Sequence, residues 1–158
     1  MAGKVKAIPE GYAPITPYLI VDGAAAAIDF YTKIFGAKER MRMPGPGDKI
    51  GHAEIEIGNS IVMLADANPQ MGHKSPKTLG GSPIGLLLYV ENVDDTVKRA
   101  TTAGAKVVRP VEDQFYGDRM GTVLDPFGHQ WYVATHIEDV SPEEMKRRMA
   151  AMAPAGAA

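Results

Sequence analysis

The feature that most constrains this chain is a repeated order of elements. A strand, a helix and three further strands, read between residues 15 and 65, recur in the same order between residues 85 and 135. In the first copy, residues 15–21 read as a strand that ends at Asp22–Gly23. Ala24, Ala27, Ile28, Tyr31, Ile34 and Phe35 then follow at helical spacing with one buried stripe. Asp22 stands where it can cap that helix, and Gly36 where a left-handed C-terminal glycine is expected. Residues 37–43, 51–57 and 60–65 read as strands, the first two interrupted by Pro44–Gly45–Pro46–Gly47 and the last two joined by a tight Gly58–Asn59 turn.

The second copy repeats this: a strand at 85–90, Asn92 as a cap, a helix at 93–103 with Asp94 and Asp95 in its first turn, and strands at 105–111, 121–125 and 130–135. Val21–Asp22 aligns with Val90–Glu91 at an offset of 69, and Gly36–Ala37–Lys38 with Gly104–Ala105–Lys106 at 68. One gap within the helix reconciles the two offsets. The expected fold is therefore α+β: two tandem βαβββ modules, at 14–66 and 84–136, forming a curved mixed sheet around a central cavity. A module of roughly 55 residues has little core of its own, so the two are expected to pack together and share a hollow suited to a small ligand.

The connection at 67–83 is rich in Pro and Gly and reads either as a lid or arm without structure of its own or as a simple tether. Ser141–Pro142–Glu143–Glu144 is a strong helix start, predicting a C-terminal helix at 141–152 with Met145, Met149 and Met152 beside Lys146, Arg147 and Arg148. That helix is expected to pack on its own subunit or on a partner.

Charge and composition exclude several classes. The formal net charge is −2, so the surface as a whole attracts neither nucleic acid nor an anionic membrane. Cysteine is absent, which removes disulfides, thiolate zinc sites and cysteine nucleophiles and suits a reducing compartment. No stretch approaches the roughly 20 apolar residues of a membrane helix. The N-terminal residues lack a continuous apolar run, so they do not read as a signal peptide. A cytoplasmic protein is the expectation.

Particular phrases carry a resemblance. Pro17–Tyr18–Leu19, Asp29–Phe30–Tyr31, Phe35–Gly36–Ala37, Gly51–His52–Ala53–Glu54 and Asp125–Pro126–Phe127–Gly128–His129 resemble the vicinal oxygen chelate superfamily of glyoxalases, bleomycin-resistance proteins and dioxygenases. Asp113–Gln114–Phe115–Tyr116–Gly117–Asp118–Arg119 and the Ser141–Pro142–Glu143–Glu144 tail resemble its PhnB-like branch. The resemblance covers about residues 14–150 and implies a homodimer and a glyoxalase-like fold. It does not fix the chemistry, which varies across the superfamily.

Metal enzymes of that superfamily hold a divalent ion with four side chains, one from the first and one from the last strand of each module. By resemblance these positions are Thr16, Met63, Gly85 and Tyr132, and Thr16/Gly85 and Met63/Tyr132 are each separated by 69. None is His, Asp or Glu; glycine offers no donor, and the others are poor ligands for magnesium, manganese or zinc. The resemblance therefore implies a small-molecule-binding protein with no metal and no other cofactor. Thr16, Met63 and Tyr132 would line its ligand face, and Tyr116 and Arg119 its mouth. Arg119 would either recognise an anion or pair with a nearby carboxylate. Tyr132 would serve as an aromatic wall or as core filling, with Trp131 packed under the helix.

The alternative is a lyase, isomerase or dioxygenase with a relocated site. His52, Glu54 and Glu56 alternate with Ala53, Ile55 and Ile57, so the polar set shares one strand face and could bind a divalent metal or act as acid and base. The competing reading is a solvated face, or ion pairing with Arg40, Arg42 or Arg119. His73 reads as solvated, His129 as structural and His136 as a surface residue. A methyltransferase would need a nucleotide-type Gly-rich turn after a parallel strand, and none is present.

Overall fold

The computed structural model describes residues 5–152. Two four-stranded mixed sheets, each served by its own helix, make the fold α+β with tandem βαβββ modules. The chain divides into two units: one runs to Ser82 and includes Pro126–Gly128, and the other holds Pro83–Asp125 and the residues from His129 on.

In the first unit, β1 (Tyr18–Val21), α1 (Ala24–Phe35), β2 (Lys38–Pro44), β3 (Ile50–Ile57) and β4 (Ser60–Asp66) give the sheet order β1-β4-β3-β2. β1 runs parallel to β4, and the other pairs are antiparallel. The expected stripe of α1 is buried in full, joined by Phe30. Period-2 alternation sends Leu19, Val21, Ala53, Ile55, Val62 and Leu64 into the core. Each of the Leu, Ile and Val side chains among them contributes about 1.5–3 kcal/mol by leaving water. Phe127, in the turn assigned to this unit, packs edge-on to Phe30 and Tyr31 at 6.2 Å from each ring centre.

Two expectations for this unit need correction. Asp22 does not cap α1. The N-cap is Gly23, and the carboxylate of Asp66, at the end of β4, accepts from the N–H groups of Gly23 and Ala24 at 2.9 Å. Asp22 instead accepts a 2.6 Å hydrogen bond from the hydroxyl of Ser75. The stretch at 67–83 is also not structureless. It contains a 3₁₀ turn (Pro69–Met71), the short helix α2 (Pro76–Leu79) and a bridge between Asn68 and His73, and Ser75 and Pro76 are buried.

In the second unit, β5 (Gly85–Tyr89), α3 (Val93–Thr102), β6 (Lys106–Asp113), β7 (Asp118–Leu124) and β8 (Gln130–His136) repeat the topology as β5-β8-β7-β6. The register repeats too. Tyr18 pairs with Met63 in the first sheet and Leu87 with Tyr132 in the second, both members displaced by 69. Even the helix anchors correspond. Thr135, 69 residues after Asp66, accepts from the N–H of Val93 at the start of α3. α4 (Pro142–Met152) begins as its sequence predicts, with Ser141 accepting from the N–H of Glu144. Arg148 fastens it through Glu138, Glu144 and the carbonyl of Phe115, while Met149 and Met152 stay exposed.

Candidate functional site

In the first sheet the strand face turned away from the apolar core carries the chemistry; in the second, Tyr132 and Thr122 lie on that face, whereas Arg119 lies on the face that α3 covers. In the first unit, alternation puts Tyr18, His52, Glu54, Glu56 and Met63 on that face, with Met41 and Met43 opposite Glu54 and His52. Glu54 is only 5% exposed. A carboxylate so enclosed needs partners. It has three: the Tyr12 hydroxyl donates at 2.6 Å, Arg40 lies at 3.7 Å, and His52 Nε2 at 3.4 Å. The Arg40 guanidinium also stands over the Tyr12 ring, 5.3 Å from its centre.

The Tyr12 hydrogen bond is the main cause that holds the Glu54 carboxyl below the usual carboxylate range, outweighing the opposing effect of burial. His52 continues the chain, with Nδ1 2.7 Å from the Tyr18 hydroxyl. If Nε2 carries the proton toward Glu54, Nδ1 accepts from Tyr18, so one tautomer satisfies both contacts. Glu56 stands outside this chain. It pairs in register with Lys38, but its side chain makes no ion pair or hydrogen bond among the described residues.

Thr16 precedes β1 and is half-buried, with its hydroxyl 3.4 Å from the carbonyl of Ala13. The residue opposite Met63 is Tyr18, and the Met63 N–H bonds the carbonyl of Pro17. Tyr18 and Tyr12 are site residues that the sequence reading missed. Tyr18 had a signal, since it lies two residues after Thr16 and so shares its face; Tyr12 had none.

In the second unit, Gly85 and Tyr132 meet closely. The Tyr132 ring lies where a side chain at Gly85 would stand, so a Cβ there would overlap it. Gln130 donates to the Tyr132 hydroxyl at 2.8 Å and holds the ring in place. Thr122, in register with Tyr132, has a buried hydroxyl without a partner among the described residues. Tyr116 packs edge-on to Phe115, and its hydroxyl points to Met120 sulfur at 3.7 Å. Arg119 is engaged at 2.8 Å by both carboxylate oxygens of Asp94 and by one of Asp113.

The other histidines have defined places. His129 closes the Asp125 turn: its N–H donates to the Asp125 carboxylate, which also accepts from Trp131 Nε1 at 2.9 Å. Trp131 is buried. His136 is more than a bare surface residue, because it lies between Asp118 at 2.7 Å and Asp139 at 2.9 Å. His73 is half-buried beside Tyr18, with ring centres 6.4 Å apart.

Two βαβββ modules with matched registers and a polar face on each sheet define the class of protein. The chain belongs to the glyoxalase/bleomycin resistance protein/dioxygenase superfamily, whose family model matches residues 12–133. A protein of Mycobacterium bovis described as uncharacterised is 48% identical over 138 residues, covering 85% of this chain and 91% of that one. Among solved structures, TioX from a Micromonospora species is 26% identical, with a TM-score of 0.60, over 82% of this chain and 100% of that one. A PhnB protein from Bacillus cereus, 18% identical over 78% of this chain and 99% of that one, shares the fold with a TM-score of 0.60.

The divalent ion used by metal enzymes of this superfamily does not fit the residues at the four positions that the resemblance assigns to it, Thr16, Met63, Gly85 and Tyr132. Gly85 offers no donor, and the place of its side chain is taken by an aromatic ring. Met63 is a soft thioether, and Thr16 and Tyr132 are neutral hydroxyls. Among the described residues, no group of three or more His, Asp or Glu side chains gathers in a metal-binding arrangement.

Proposed function

We propose that this chain is a small-molecule-binding protein of the PhnB type that works without the superfamily's divalent ion. The observation that carries this reading is the Tyr132 ring lying over Gly85. It replaces a ligand-bearing side chain with an aromatic surface. Such a surface suits a flat or apolar molecule. Met41, Met43 and Met63 supply adaptable contacts on the polar face of the first sheet, and Tyr18 there is 45% exposed. We propose Thr16 and Met63 as ligand contacts on the first unit and Tyr132 as one on the second. Tyr116 and Arg119 would line the mouth on the second unit, with Arg119 held by Asp94 of α3 and Asp113 of β6. The protein would act in the cytoplasm as a homodimer, bound to neither membrane nor nucleic acid. The balanced charge supports the absence of nucleic-acid binding, and no helix among the described residues is long and apolar enough to cross a membrane.

One observation favours a second reading, in which the first unit is a metal-dependent lyase, isomerase or dioxygenase with a relocated site around His52, Glu54 and Glu56. Tyr18, His52 and Glu54 form a continuous chain of polar contacts. Two features weigh against it. A working acid or base carboxyl is tuned upward toward neutral pH, whereas Tyr12 holds that of Glu54 low. The Glu54 end of the chain is also long, at 3.4 Å.

Metal analysis of the purified protein, after equilibration with manganese, nickel and zinc salts and then dialysis, tests the reading. Substoichiometric metal, together with a saturable change in Trp131 fluorescence on adding flat aromatic compounds, is expected. One metal per chain that is lost in the His52→Ala variant would establish the second reading instead.

A further inference from the structure

A cleft of about 660 Å³ opens within the first unit, between the Pro44–Gly45–Pro46 loop and the start of the connection that follows β4. Its size is that of a small-ligand site. Its walls are fixed by the backbone. Gly45 and Gly51 cross so closely that a Cβ on Gly45 would lie 2.9 Å from the Gly51 nitrogen, and one on Gly51 would lie 3.0 Å from the Pro44 carbonyl oxygen. The Gly45 N–H closes the loop on the Lys49 carbonyl at 2.8 Å. On the other side, Asn68 and His73 exchange two backbone hydrogen bonds of 2.9 and 3.0 Å around the 3₁₀ turn. Neither wall needs a ligand to take its shape.

The lining has a definite polarity. Ile50, Ala67, Pro69 and Met71 supply apolar surface. The one carboxylate in the lining, Asp66, already accepts from three backbone N–H groups: Gly23, Ala24 and Ile50. The remaining side-chain polar groups are Lys49, Asn68, Gln70 and His73. Lys49 makes no ion pair among the described residues, and its ammonium donates only to the carbonyl of Ala67 at 3.3 Å. The side chains of Asn68, Gln70 and His73 make no hydrogen bond among the described residues. The cleft thus offers an unneutralised cation and several free donors beside an apolar floor, with no free anion of its own.

We propose that this cleft is a binding site for a small organic acid, a monoanion with a compact apolar or aromatic body. The acid group meets Lys49 and the amides of Asn68 or Gln70, and the body lies on Ile50 and Met71. A charge-assisted contact to Lys49 orients the ligand, and the rigid walls limit what is lost in ordering the site. His73 closes the far end, where its ring stands beside Tyr18. The site shares none of the positions on which the proposed function rests, so either can fail alone.

Titration of the full chain with anilinonaphthalene sulfonate, followed by fluorescence and by backbone amide shifts, tests this. Saturable binding is expected, with shifts concentrated at Gly45, Gly51, Asn68 and His73. Lys49→Glu should weaken it at least tenfold, while Lys98→Glu, the same charge change on α3, leaves it unaltered. The uncharged analogue phenylnaphthylamine should bind at least tenfold more weakly than the sulfonate. The proposal is overturned if the sulfonate does not bind, if its shifts lie elsewhere, if both lysine variants behave alike, or if the neutral analogue binds equally well.

Discussion

Asp118 and His136 face each other across β7 and β8, and His136 Nδ1 lies 2.7 Å from a carboxylate oxygen of Asp118. Asp118 is buried and takes a second hydrogen bond from the Tyr89 hydroxyl at 2.8 Å. His136 Nε2 reaches Asp139 on the segment leading to α4. The bond to Asp118, then that to Asp139, raises the His136 pKa above its ordinary value. A raised histidine stabilises the fold fully below its unfolded pKa of about 6.5 and loses that contribution as pH rises through the folded value. Melting temperature should therefore fall as pH rises above about 6.5, and His136→Gln should flatten that fall. An unchanged slope in the variant would remove His136 from this role.

Gly85 and Tyr132 should behave as one unit. Gly85→Ala forces the ring from its place and is expected to cost about 1–3 kcal/mol in urea unfolding. Combined with Tyr132→Ala, the same change should cost almost nothing further, because the obstructing ring is gone. Additive effects would place the ring away from Gly85.

The two helix anchors differ in weight. Asp66 accepts from three N–H groups at 2.7 to 2.9 Å, whereas Thr135 accepts from one, that of Val93. Asp66→Ala should destabilise by about 3 kcal/mol or more, since each bond to a charged acceptor contributes roughly 1.5–3 kcal/mol. Thr135→Val should cost about 1 kcal/mol. Chemical denaturation of the two variants measures the difference.

Glu54 sets the acid limit of the first unit. Its lowered pKa means a contribution that is complete above the unfolded value of about 4.3 and is lost as pH falls through the folded value. Tyr12→Phe removes the main cause of that lowering. The acid-unfolding midpoint should move to higher pH, with stability at neutral pH reduced as well. A midpoint that stays put would show that Tyr12 does not hold the carboxylate in solution.

Much of the architecture was legible because it is local. Helical spacing located the buried stripe of α1 except for Phe30, and alternation along β3 separated Ala53, Ile55 and Ile57 from His52, Glu54 and Glu56. The start of β1 differs from the one its sequence suggests. Pairing begins at Tyr18, after two prolines, rather than at Ile15. The start of β7 was placed too late, because the turn in which Gln114 and Asp118 bond each other continues the ladder back to Asp118.

The candidate site was legible only as a list of types. The alternation that put His52 and Glu54 on one face could not tell that Glu56 stands apart, nor that Arg40 rather than Arg42 approaches Glu54; Arg42 is held by Glu39. Arg119 could be read as an anion receptor or as a paired residue from its sequence, and Asp94, 25 residues away, is what engages it.

By itself the sequence determined that there are two copies of one module, in what order their elements run, and that Thr16, Met63, Gly85 and Tyr132, the positions the resemblance assigns to a metal, include no acidic or imidazole side chain. Those are properties of neighbouring residues and of residue identity, which period and spacing encode. Tertiary structure decided that Asp66 rather than Asp22 anchors α1 and that Tyr12 seals Glu54 across 42 residues. It also decided that Tyr132 covers Gly85. Each of these depends on which distant groups are driven together when apolar faces leave water, and no local pattern records that choice.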